Sequence, residues 1–104
     1  MSLAVTFSVY ILGCADESLY TGKTVDLERR LWEHEHGLGG GYTKFRRPVR
    51  LLWADVFPTE EQAYVAARKI KGWTRAKKWA LIKGDFGLLH ELAKSTEKRE
   101  REKT

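Results

Sequence analysis

Cysteine is nearly absent from this sequence. Cys14 stands alone, so no intrachain disulfide can form, and the chain suits a reducing cytoplasm. Paired-cysteine metal patterns are therefore missing too, and His34, His36 and His90 do not fall in a zinc-binding spacing. No apolar run approaches the roughly 20 residues that a membrane-spanning helix needs. The opening residues Met1-Ser2-Leu3-Ala4-Val5 are too short and too uncharged for a signal peptide. These gaps set aside disulfide-stapled secreted folds, zinc modules and membrane proteins, and leave a cytoplasmic domain with no membrane partner.

What is present fits one compact domain. The chain has 104 residues, 42% of them hydrophobic, with four tryptophans to add bulk to a core. Nineteen basic residues against 14 acidic ones give a net charge of +5. A small basic domain points to an anionic partner, with nucleic acid ahead of membrane; a surface kept soluble by excess lysine would give the same balance.

The segment from Val9 to His34 organises the rest. Phe7-Ser8-Val9-Tyr10-Ile11-Leu12-Gly13 is β-branched and aromatic, the composition of a strand, and Leu19-Tyr20-Thr21-Gly22-Lys23 reads as a second. The short link between them implies an antiparallel hairpin. Gly22 marks a place where a backbone or ligand comes close. A helix follows, capped by Asp26, with Leu27, Leu31 and His34 on one face and Arg30 one turn before His34. It ends before Gly37. Residues 39–48 read as a loop, glycine-rich and then basic, whose Lys44, Arg46 and Arg47 suit phosphates. Val49 to Phe57 reads as a third strand, apolar enough to be central or covered on both sides.

Thr59 caps a second helix, with Gln62 three residues on and Glu60 and Glu61 in the first turn. Thr74 caps a third, Arg75 to Lys83, with a strongly basic side, and Gly84-Asp85 starts a last helix, 86–93. The composition predicts a domain over 1–93 and a charged tail, frayed or disordered, over 94–104. Two phenols, a guanidinium and an imidazole in one short segment suggest a phosphate-handling site.

Val9-Tyr10-Ile11, Tyr20-Thr21-Gly22, Arg30 and His34, taken in order, resemble the GIY-YIG nuclease module. The likeness continues through Gly41-Tyr42-Thr43-Lys44, Arg47-Pro48-Val49 and the run from Ile70 to Lys78, and covers roughly residues 7–86. It is closest to the small stand-alone bacterial members. The resemblance implies an α+β fold: a small three-stranded antiparallel sheet flanked by helices. It implies hydrolysis of a DNA phosphodiester assisted by Mg²⁺ or Mn²⁺, on branched or damaged DNA in repair or recombination. Tyr10 and Tyr20 would line the site and handle the proton, Arg30 would contact the scissile phosphate, and His34 would stand beside it. Lys23, Lys44, Arg46, Arg75 and Lys78 would contact DNA. One departure stands out. The family's metal-binding glutamate falls three residues before the Ile-Lys pair, and here that position is Ala67. An alanine cannot ligate Mg²⁺, which wants carboxylate oxygens. The alternative reading is therefore a catalytically silent nucleic-acid-binding or scaffold domain.

Overall fold

The structure, a computed structural model, describes residues 5–92. The tail expected over 94–104 lies outside the described residues. Two compact units divide the chain after Gly72.

The first unit is built on a hairpin, β1 (Phe7–Gly13) and β2 (Leu19–Thr24), closed by the turn at residues 14–18. The cap of helix α1 (Leu27–Glu35) forms as its chemistry requires. Asp26 takes extended backbone, and its carboxylate accepts from the Arg29 N–H, one of the donors a helix start leaves open. Strand β3 (Arg50–Phe57) pairs antiparallel with β1, so the sheet order is β2-β1-β3.

That order corrects the expectation for the third strand. β1 is central, and β3 is an edge strand with much of its length exposed. The run of apolar residues misled because Arg50 and Asp55 lie inside it, and Leu51 and Val56 face solvent. Val9-Tyr10-Ile11-Leu12 is the run sealed on both faces. A second difference lies between α1 and β3. Residues 39–48 are not all loop: Gly41–Lys44 forms a helical turn, α2, entered through Gly40 at φ 106°, a conformation open to glycine.

Side chains alternate across the sheet. Tyr10 is paired with Gly22 and Leu12 with Tyr20, so these four share one face. Tyr10, Leu12, Cys14 and Val49 form a buried cluster there, with Leu27 and Leu31 of α1 packed against it. Helix α3 (Glu60–Lys71), capped by Thr59 through the Gln62 N–H, packs against the strands through Ala63, Ala67 and Ile70, which are buried. In the second unit, α4 (Arg75–Lys83) is capped by Thr74 and ends at Gly84 in the left-handed conformation, and residues 86–92 are helical. No described helix is long and apolar enough to cross a membrane.

Candidate functional site

The hairpin and α1 bring Tyr10, Tyr20, Arg30 and His34 together. Ring centroids lie 6.4 Å apart for Tyr10 and Tyr20, 5.7 Å for Tyr10 and His34, and 5.4 Å for Tyr20 and His34. The Arg30 guanidinium stands near enough to the Tyr10 hydroxyl to act on its pKa. Its Nη2 donates to the Gly39 carbonyl at 3.1 Å, and Nη1 is 3.6 Å from Glu33.

At the centre runs a buried chain of hydrogen bonds. The Tyr10 hydroxyl is 2.8 Å from His34 Nε2, and His34 Nδ1 is 2.7 Å from Thr43 Oγ1. Tyr10, His34 and Thr43 are at most 1% exposed. Each ring nitrogen of His34 faces a hydroxyl, and a neutral imidazole accepts at one nitrogen and donates at the other. The charges agree with that arrangement. Burial pushes the His34 pKa down, and the Arg30 cation adds to the effect over the opposing pull of Glu33. Burial also raises the Tyr10 phenol, more than the Arg30 guanidinium lowers it. The Arg30 pKa is raised: burial works against its charge, and Tyr10 and Glu33 outweigh burial.

Two glycines make room for this chain. A Cβ on Gly22 would lie 2.3 Å from the Tyr10 hydroxyl, and one on Gly39 would lie 2.1 Å from His34 Nδ1. The close neighbour at Gly22 is thus a side chain, the Tyr10 phenol, and not the backbone or ligand expected.

Sequence reasoning missed Thr43, Tyr42 and Gly39 as parts of this cluster. Tyr42 stacks on Tyr20 at 5.6 Å, and the Arg46 guanidinium lies 3.9 Å from the Tyr42 ring centre. The available signal was the Gly-Tyr-Thr-Lys run, but a threonine's reach to a histidine nine residues earlier depends on the α2 turn.

The expected phosphate-contacting residues differ in their surroundings. Lys23 and Lys44 are exposed. Arg46 is already engaged: Nε meets Asp16 Oδ2 at 2.9 Å and Nη1 donates to the Tyr42 carbonyl at 2.8 Å. In the second unit Arg75 is exposed, with its guanidinium 5.8 Å from the Trp79 ring centre. Lys78 is half-buried, and desolvation lowers its ammonium pKa. Its neighbour Lys77 is buried, so the basic side of this helix is smaller than the sequence suggested.

On α3, the hollow in which Ala67 sits is about 260 Å³ and is lined by Lys23, Tyr64, Ala67, Arg68 and Lys71. Its charged lining is wholly cationic. Among the described residues no group of three or more His, Cys, Asp or Glu side chains could hold a metal ion. The donors a hard divalent cation requires are not assembled, and the residues present do not fit the ion.

A family model described as the GIY-YIG catalytic domain matches residues 6–80. The UPF0213 protein of Natronomonas pharaonis is 42% identical over 85 residues, which is 82% of this chain and all of that protein. The UPF0213 protein of Staphylococcus saprophyticus is 45% identical over 74 residues, 71% of this chain and 90% of that one. Two solved structures match the fold. The solution NMR structure of a UPF0213 protein from Bacillus halodurans has a TM-score of 0.51 at 41% identity, covering 75% of this chain and 83% of that one. The solution NMR structure of a protein from E. faecalis has a TM-score of 0.55 at 35% identity, covering 78% and 86%.

Proposed function

The chain belongs to the GIY-YIG family, a nuclease-type family, and from that membership we propose that it binds DNA through a nuclease-like site that has lost its metal ligand. The observation that carries this reading is Ala67. By the resemblance it takes the position of the family's metal-binding glutamate, and beside it only cations and a phenol line the hollow. A metal ion contributes several kcal/mol by polarising the phosphoryl oxygen and activating water. Nothing in the donor set here replaces it.

What remains is a phosphate grip. Arg30, half-buried and held by Gly39 and Glu33, offers a fixed guanidinium to a phosphodiester oxygen. Tyr20, partly exposed, is the phenol a phosphate can reach. Tyr10 is sealed, so its part is, with His34 and Thr43, to fix the floor beneath Tyr20. Lys23 and Lys44 add exposed cations along the path of the strand. Arg46 does not join them, since it braces Tyr42 against Tyr20.

Nicking of supercoiled and branched DNA with Mg²⁺ or Mn²⁺ tests the proposal. The natural chain should bind but cut no faster than Arg30→Ala, whereas Ala67→Glu should gain cleavage of at least about a hundredfold, the factor that ~2.7 kcal/mol of barrier represents. Metal-dependent cutting by the natural chain that Arg30→Ala abolishes would make it a working endonuclease and overturn the reading. Such an enzyme would belong with the structure-selective nucleases of repair and recombination.

A further inference from the structure

Helix α3 carries Tyr64, Ala67, Arg68 and Lys71 at positions i, i+3, i+4 and i+7, the spacing that lays side chains along one face. Lys23 reaches the same place from β2, an edge strand of the sheet. Ala67 is 3% exposed and has only a methyl group to fill the space between its neighbours. The result is the hollow of about 260 Å³, several times the ~30 Å³ share of a water molecule in the liquid.

The charges around it are specific. Lys23, Arg68 and Lys71 contribute three positive charges, and one carboxylate pairs with them, Glu60, 3.9 Å from Lys23 Nζ. Taken together the group carries two net positive charges. The Tyr64 hydroxyl is 3.5 Å from Arg68 Nη1, and its ring centre is 5.6 Å from Lys23 Nζ. The phenol therefore steadies both cations at the rim. A planar guanidinium fork beside two ammonium groups suits a tetrahedral oxyanion with several free oxygens. A phosphodiester in a strand carries one negative charge, but a phosphomonoester carries close to two at neutral pH. The monoester is the better match in charge and in number of acceptors.

We propose that this hollow is a phosphomonoester-binding subsite, occupied where the metal-ligating carboxylate would otherwise stand. A strand end bearing a terminal phosphate and free inorganic phosphate present the same chemistry to it. The inference rests on the DNA-binding reading above, and it adds a preference for phosphorylated ends.

The test uses the full chain and short oligonucleotides with 5′-hydroxyl, 5′-phosphate or 3′-phosphate ends, with inorganic phosphate titrated separately by amide NMR. One phosphorylated end should bind about tenfold tighter than the hydroxyl strand, the effect of one or two charge-assisted hydrogen bonds. That ratio should fall to about one in Arg68→Gln/Lys71→Gln. Inorganic phosphate should shift the amides around Arg68 and Lys71 and remove the preference by competition. Amide shifts with inorganic phosphate but no end preference would assign the subsite to free phosphate. Equal affinity for all three strands, with no phosphate-induced shifts at α3, would overturn the subsite while leaving DNA binding in place. Failure of the hydroxyl strand to bind at low salt would instead sink the DNA-binding reading. A thermal melt of the double variant separates loss of the ratio from loss of the fold.

Discussion

Three residues far apart in sequence, Tyr10, His34 and Thr43, share one sealed line of hydrogen bonds, and the line depends on small neighbours. Gly22→Ala would place a methyl 2.3 Å from the Tyr10 hydroxyl, so the phenol must swing away from His34. Overpacking of this kind costs about 1–3 kcal/mol, which a urea melt of the two proteins would read directly. His34 predicts a pH dependence of known sign. Its folded-state pKa lies below the roughly 6.5 of an unfolded chain. Above about pH 6.5 the group is neutral in both states and its contribution is constant. As pH falls below that value the unfolded chain takes up a proton that the folded one refuses. Stability then drops, by at most about 1.4 kcal/mol per pH unit, until the folded pKa is passed. Melts between pH 7.5 and 5.5 should show that loss, with a shallower slope in His34→Gln. An equal slope in both proteins would place the titrating group elsewhere.

At the scale of elements, α1 sets the site because its first turn fixes the rotation that points Arg30 and His34 at the hairpin. Asp26→Ala removes the acceptor for the Arg29 N–H and should destabilise the protein by about 1 kcal/mol. Binding of DNA should weaken with it, because Arg30 stands one turn from the frayed end; unchanged affinity alongside a lowered melt would separate the cap from the site. The same caps explain why the helices are legible in the amino-acid sequence. Asp26, Thr59 and Thr74 each announce a helix by their own chemistry, and each accepts a first-turn N–H as that chemistry requires. The α2 turn has no such signal, since its cap is Gly40 with no side chain to offer. The rank of the strands is also hidden. An apolar run does not say how many neighbours a strand has, and pairing on both sides of β1 is decided by long-range contacts. The four site residues are legible because ordered motifs fix them, but Thr43 joins them only through α2, which brings it to His34.

Net charge belongs to the whole molecule, and the two units carry it differently. In the first unit Lys23, Lys44, Arg68 and Lys71 are exposed, and Arg30 is half-exposed beside the phenols. In the second, which holds most of the positive excess, Arg75 and Lys83 are exposed, Lys77 is buried, and Lys78 is half-buried with its charge disfavoured by desolvation. The excess of +5 is therefore a poor guide to how many phosphates the protein meets. The salt dependence of DNA affinity counts them, because each neutralised duplex phosphate contributes about −0.9 to the slope of log K against log salt, and about −0.7 on a single strand. Lys23→Gln should make the slope shallower by about one such contact. Arg46→Gln should leave it unchanged, since that guanidinium is bound to Asp16, to the Tyr42 carbonyl and to the Tyr42 ring; its loss should appear as a lower melting temperature. A reversed result, with the slope moved by Arg46 and not by Lys23, would mean that the strand crosses the basic loop and avoids the β2 edge. The phosphate path would then have to be redrawn away from α3.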